Sequence, residues 1–90
     1  MTQQLRSKTV LVVDDDNAVR DSLKWLIESV GLSALLFASA DEMLNSDALQ
    51  HAGCILLDVR MPGISGLELQ ERLNARGVTT PVIVITGHGD

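Results

Sequence analysis

Three stretches of this chain end in residues whose types can do chemistry. The first is Val10-Leu11-Val12-Val13-Asp14-Asp15-Asp16, four apolar residues followed by three carboxylates. Adjacent carboxylates repel one another unless a positive charge sits among them. A hard divalent cation with oxygen ligands, Mg²⁺ or Ca²⁺, is the usual remedy. The competing reading is a helix start, because Asp caps helices and suits the dipole there. The second stretch, Cys54-Ile55-Leu56-Leu57-Asp58, again delivers a carboxylate. Taken alone, Asp58 also reads as a cap or turn residue before Pro62. The third, Val82-Ile83-Val84-Ile85-Thr86, ends in a hydroxyl. Taken alone, Thr86 reads as an ordinary β-branched strand residue.

Those residues need elements to position them. Apolar runs without alternation suit strands buried on both faces. Lys8 to Val13 is the first strand. Val19, Leu23, Leu26, Ile27 and Val30 recur at helical spacing and predict a helix from Ala18 to Val30, with Gly31 past its end. Trp25 falls between the apolar positions, and Arg20 and Asp21 read as ordinary exposed polar residues. Leu32 to Ala38 is a second strand. Ser39-Ala40-Asp41-Glu42 fits a capping box for a helix from Ala40 to Leu49, with Met43 and Leu44 inward. Gln50 to Gly53 is a turn, Cys54 to Asp58 a third strand, and Val59 to Gly63 a loop punctuated by Pro and Gly. A third helix runs from Ser65 to Ala75 and stops at Gly77. Pro81 opens a fourth strand through Thr86, where proline is tolerated at the first position.

Strands alternating with helices indicate a parallel α/β sheet with right-handed crossovers and helices on both faces. In such a sheet the C-terminal ends of strands one, three and four share one edge, where ligands bind. Asp14, Asp15, Asp58 and Thr86 then meet in one pocket. That convergence carries the site reading, which none of the residues carries alone.

Composition narrows the function classes. Ninety residues allow one domain. A net charge of −5 argues against direct nucleic-acid binding by this segment. The single cysteine, Cys54, sits in an apolar run, makes no internal disulfide and reads as a small buried hydrophobe. No apolar stretch is long enough to cross a membrane. Met1 to Lys8 has no apolar core behind its charges, so it does not read as a signal peptide. A reducing, cytoplasmic location is the expectation.

Val12-Val13-Asp14-Asp15-Asp16, Leu56-Leu57-Asp58-Val59-Arg60-Met61-Pro62-Gly63 and Val84-Ile85-Thr86-Gly87 together resemble the receiver domain of two-component response regulators. Pro62-Gly63-Ile64-Ser65-Gly66-Leu67-Glu68 and Ile85-Thr86-Gly87-His88-Gly89-Asp90 are similar to the nitrogen-fixation type, which carries a helix-turn-helix output domain. The resemblance implies a flavodoxin-like fold with strand order 2-1-3-4. It implies that Asp58 is the phosphoacceptor and that Mg²⁺ is held by Asp14, Asp15, Asp58 and the backbone carbonyl of Arg60, with Asp14 acting mainly through water. Thr86 would hydrogen-bond a phosphoryl oxygen, Gly87 would leave it room, and Arg60 and His88 would flank the pocket. A sensor histidine kinase is the implied donor, and control of transcription the implied output. The chain is then a signalling phosphoacceptor, not a conventional enzyme.

The family continues with a fourth helix, a fifth strand and a fifth helix, which hold a phosphoryl-pairing lysine and an aromatic switch residue. In this sequence the lysines are Lys8 and Lys24, and Phe37 lies in strand two. Residues 1–90 are therefore expected to form an incomplete receiver, strands one to four with helices one to three. Strand four is expected at an open edge, favouring a homodimer. Two alternatives remain. One is a receiver remnant acting only through protein contacts. The other is a haloacid-dehalogenase-type phosphatase, whose nucleophile motif Asp14-Asp15-Asp16 echoes.

Overall fold

The computed structural model describes residues 8–59 and 63–85. Its elements are β1 (Thr9–Val13), α1 (Asn17–Ser29), β2 (Ser33–Phe37), α2 (Ala40–Leu44), a 3-10 helix (Asp47–His51), β3 (Cys54–Asp58), α3 (Gly66–Ala75) and β4 (Val82–Ile85). The four strands form one parallel sheet in the order β2-β1-β3-β4. The predicted α/β class and strand order therefore hold.

β1 and β3 form the centre of the sheet because their side chains are needed on both faces. Leu11, Val13, Ile55 and Leu57 point to one face and pack with Met43, Leu44, Leu49, Leu69 and Leu73 from the α2 and α3 side. Val10 and Val12, on the alternate positions, are buried on the α1 side. Burying side chains of this size contributes about 1.5–3 kcal/mol each. The central strands are thus held in place from two sides, and so are the carboxylates at their ends.

α1 starts and stops on local signals. Asp16 caps it, with its carboxylate accepting from the Ala18 and Val19 amides at 2.9 and 3.3 Å. At the other end Leu32 N–H donates to the Ile27 carbonyl and Gly31 N–H to Glu28, with Gly31 at φ +89°. That is a Schellman ending, and the positive φ is why glycine stands there. α3 ends the same way at Gly77. Its start is a full capping box: Ser65 Oγ accepts from the Glu68 amide and Glu68 Oε1 accepts from the Ser65 amide.

Three expectations need correction. The helix predicted over Ala40–Leu49 stops at Leu44, and a 3-10 helix follows from Asp47 to His51. Ser46 breaks the run because its hydroxyl accepts from the Ala48 amide and starts a new, tighter turn. The capping box at Ser39–Glu42 is only half made. Ser39 Oγ accepts from the Glu42 amide, but Glu42 Oε1 takes the Ala38 amide instead of that of Ser39. Finally, α1 buries no residue fully. It packs on β1 and β2, so Val19, Leu23 and Ile27 are half-buried while Leu26 and Val30 face outward. Trp25 is also exposed, at 71%.

Among the described residues β4 is an edge strand, with Ile83 and Val84 exposed. α3 approaches it closely at its first turn. A Cβ on Gly66 would lie 2.8 Å from Val84 Cγ2, so a side chain there would force Val84 to shift. No helix of the described residues is long and apolar enough to cross a membrane.

Candidate functional site

Parallel pairing of β1 with β3 sets Val13 beside Leu57. The next residue on each strand, Asp14 and Asp58, therefore emerges at the same edge of the sheet. Carboxylate oxygens of Asp14, Asp15 and Asp58 all lie within 4.8 Å of one another. Asp14 and Asp58 are buried and Asp15 is exposed. The cluster therefore joins two buried carboxylates to one exposed one.

The third adjacent acid, Asp16, is absent from the cluster because it is spent on capping α1. The helix-start reading of the acidic triplet holds for Asp16, while Asp14 and Asp15 cluster with Asp58. This also weakens the dehalogenase-type reading, whose paired acids would be Asp14 and Asp16.

The loop that carries the acids is tied on all sides. Asp14 N–H donates to the Phe37 carbonyl of β2 at 3.1 Å. Asp14 Oδ1 accepts from the Asp16 amide at 2.9 Å. The Asp14 carbonyl accepts from Arg20 Nη1 at 2.7 Å, while Arg20 Nη2 donates to Asn17 Oδ1 at 2.8 Å. Arg20 had read as an ordinary surface residue; it is half-buried and braces the site. Its place one helical turn past the cap Asp16, at the foot of the helix behind the acids, was the available signal.

Burial pushes the Asp14 carboxyl above its ordinary value. The bond from the Asp16 amide opposes that shift, and the charges of Asp58 and Asp15, with a side-chain hydrogen bond to Asp58 when Asp14 is protonated, add to it. Asp14 Oδ2 is buried without a hydrogen-bond partner. Its close neighbour Asp58 is no remedy while both are ionised, since neither carboxylate can then donate. A buried oxygen of this kind needs a proton or a cation.

The donor set suits a small hard cation. Octahedral oxygen ligands at about 2.0–2.1 Å stand about 3–4.2 Å apart, close to the spread of these three oxygens. Thr86 and the Arg60 carbonyl, expected at this site, lie outside the described residues, as do Gly87 and His88. β4 is described as far as Ile85, the register partner of Asp58. Cys54 is half-buried and burial raises its thiol pKa, in keeping with an inert side chain.

Residues 10–90 match the family model for the response regulator receiver domain. The chain belongs to that family. It is similar to the transcriptional regulatory protein FixJ of Azorhizobium caulinodans, at 56% identity over 93% of this chain and 40% of the relative. It is also similar to TdiR of Thauera aromatica, at 45% identity over 99% of this chain and 39% of the relative. Among solved structures, the response regulator StyR matches with a TM-score of 0.79 and 46% identity, over 91% of this chain and 41% of that one. The beryllofluoride-activated NtrC receiver domain matches with a TM-score of 0.74 and 36% identity, over 94% of this chain and 68% of that one. The receiver described here thus spans about two fifths of the length of the curated relatives it matches.

Proposed function

We propose that this receiver takes a phosphoryl group onto Asp58 from a phosphohistidine of a sensor kinase, with Mg²⁺ held by Asp14, Asp15 and Asp58. The observation that carries the proposal is the convergence of three carboxylates within 4.8 Å, around a buried Asp14 oxygen with no partner. Such a site is unfavourable until a cation enters it. Asp15 and Asp58 would hold the cation through their carboxylates, and Asp14 mainly through water. Mg²⁺ there would neutralise the acids and the incoming phosphoryl oxygens.

The chemistry then falls to Asp58. Its carboxylate oxygen attacks phosphorus, the bond to the donor nitrogen breaks, and that nitrogen keeps the electron pair. A carboxylate is a weak nucleophile, so the donor must be reactive. The protein's part is to fix Asp58 at the end of a central strand and to shield it from bulk water. The acyl phosphate formed is hydrolysable, which suits a timed signal. Thr86 is proposed to bond a phosphoryl oxygen, and the Arg60 carbonyl to complete the metal site.

The relatives named as transcriptional regulators support an output in transcription, through a segment outside this chain, and a cytoplasmic setting goes with that role. We extend the reading to residues 1–90 as one receiver unit that self-associates along β4.

Beryllofluoride mimics a phosphoryl group on a carboxylate, and the NtrC receiver domain to which this chain is similar is beryllofluoride-activated, which supports its use as the probe. Fluorine NMR of the chain with beryllofluoride and Mg²⁺ should show a bound signal that Asp58→Asn removes. A folded chain with no bound signal would contradict the proposal.

A further inference from the structure

We infer that Arg20 is a positioning residue for the cation site: its guanidinium fork sets the peptide that aims Asp15 at the metal. The inference rests on the reading of the acidic pocket as a Mg²⁺ site.

Arg20 does not reach the site through a carboxylate. Its Nη1 donates to the main-chain oxygen of Asp14, at 2.7 Å, and its Nη2 to Asn17 Oδ1, at 2.8 Å. The carbonyl it holds belongs to the peptide joining Asp14 to Asp15. Fixing that oxygen fixes the plane of the peptide, and hence the direction in which Asp15 leaves the strand. The other ties at this corner act elsewhere. The Asp14 amide is held by Phe37, and its side chain by the Asp16 amide. Among the described residues Asp15 is the exposed member of the cluster, so packing does little to hold it. The guanidinium is therefore the group on this peptide's oxygen that can define where Asp15 points.

The geometry also explains why arginine stands there. One planar fork spans the Asp14 carbonyl and the Asn17 amide oxygen together, which a lysine ammonium on a flexible stem does not reproduce. The positive charge near the acids is a second effect, and the two are separable.

The test is Mg²⁺ titration of the metal-free chain by calorimetry, for wild type, Arg20→Gln and Arg20→Lys. Circular dichroism monitors folding, and the Asp15 amide resonance is followed by NMR. Loss of an outer-shell brace weakens metal binding about ten-fold. Arg20→Gln should show that loss even though removing a positive charge near the acids by itself favours a cation, and Arg20→Lys, which keeps the charge, should also stay weaker than wild type. In both variants the metal-free Asp15 amide signal should move while those of Leu69 and Leu73 in the core stay put. If Arg20→Gln does not fold, Arg20→Lys decides the matter. Wild-type affinity in Arg20→Lys would overturn positioning by the guanidinium fork. Unchanged affinity in both variants would overturn the inference while the site reading stands. A folded wild-type chain that binds no Mg²⁺ would overturn both.

Discussion

Asp14 and Asp58 face one another across the ends of two adjacent parallel strands, with carboxylate oxygens within 4.8 Å and both residues buried. Two buried acids this close, with the exposed Asp15 beside them, cost stability unless a proton or a cation sits among them. The fold is therefore strained at this corner.

Removing one of the buried acids should relieve the strain. Asp14→Asn is expected to raise the stability of the metal-free chain by about 1 kcal/mol, since a neutral amide takes the place of a buried oxygen with no partner. The same change should abolish the stabilisation given by Mg²⁺. Urea unfolding with chelator and with Mg²⁺ checks both halves. A destabilised metal-free variant would contradict this account of the pocket.

The pH dependence has a definite sign. Burial raises the Asp14 carboxyl above its ordinary value in the folded chain. The folded state then binds the proton more tightly than the unfolded state, so this group's contribution to stability falls as pH rises. In the metal-free chain, stability from Asp14 should increase as pH drops from above its raised value towards the ordinary carboxylate range, below which the gain is complete. Mg²⁺ competes with that proton, so its apparent affinity should fall over the same window. Thermal melts at several pH values, with and without Mg²⁺, give both trends.

Asp16→Ala should separate capping from metal binding. Losing the two bonds to the Ala18 and Val19 amides should cost about 1 kcal/mol. Mg²⁺ affinity should change little, because Asp14 Oδ1 is held by the Asp16 backbone amide and not by its side chain. Calorimetric titration beside a thermal melt distinguishes the two effects.

Much of this was legible in the sequence, and the parts that were not have physical reasons. The buried runs of β1 and β3 fixed a parallel sheet, and their shared polarity brought Asp14, Asp15 and Asp58 to one edge. The split of the acidic triplet between the α1 cap and the carboxylate cluster was not legible, because a cap and a member of such a cluster use the same residue type at the same place. Only the bonds of Asp16 to α1 separate them. The break after Leu44 was hidden because Leu49 continues the apolar spacing across Ser46, and a hydroxyl's choice of a local backbone partner leaves no periodic trace. Arg20 was missed because a guanidinium that bonds a carbonyl looks, in sequence, like any surface arginine.

Gly66 should be intolerant of a side chain. A Cβ there meets Val84 Cγ2 at 2.8 Å, and valine is stiff about χ1. Gly66→Ala is expected to destabilise the chain by about 1–2 kcal/mol. Combining it with Val84→Ala should recover part of that loss, so a double-mutant cycle of melting temperatures should show favourable coupling.

Among the described residues β4 is an edge strand with Ile83 and Val84 exposed, and the self-association proposed along it should appear at high concentration. Light scattering across a concentration series is expected to show a rising mean mass. A constant monomer mass would remove self-association from the account.

The central claim is that Asp58 accepts a phosphoryl group in a pocket charged with Mg²⁺. Its most direct test is intact-mass spectrometry after incubation with acetyl phosphate and Mg²⁺, beside Asp58→Asn and a chelated control. The account predicts one added phosphoryl group, lost in the variant and without the metal. A folded chain that binds Mg²⁺ but gains no mass would contradict it, and would mark this receiver as one that acts through protein contacts alone.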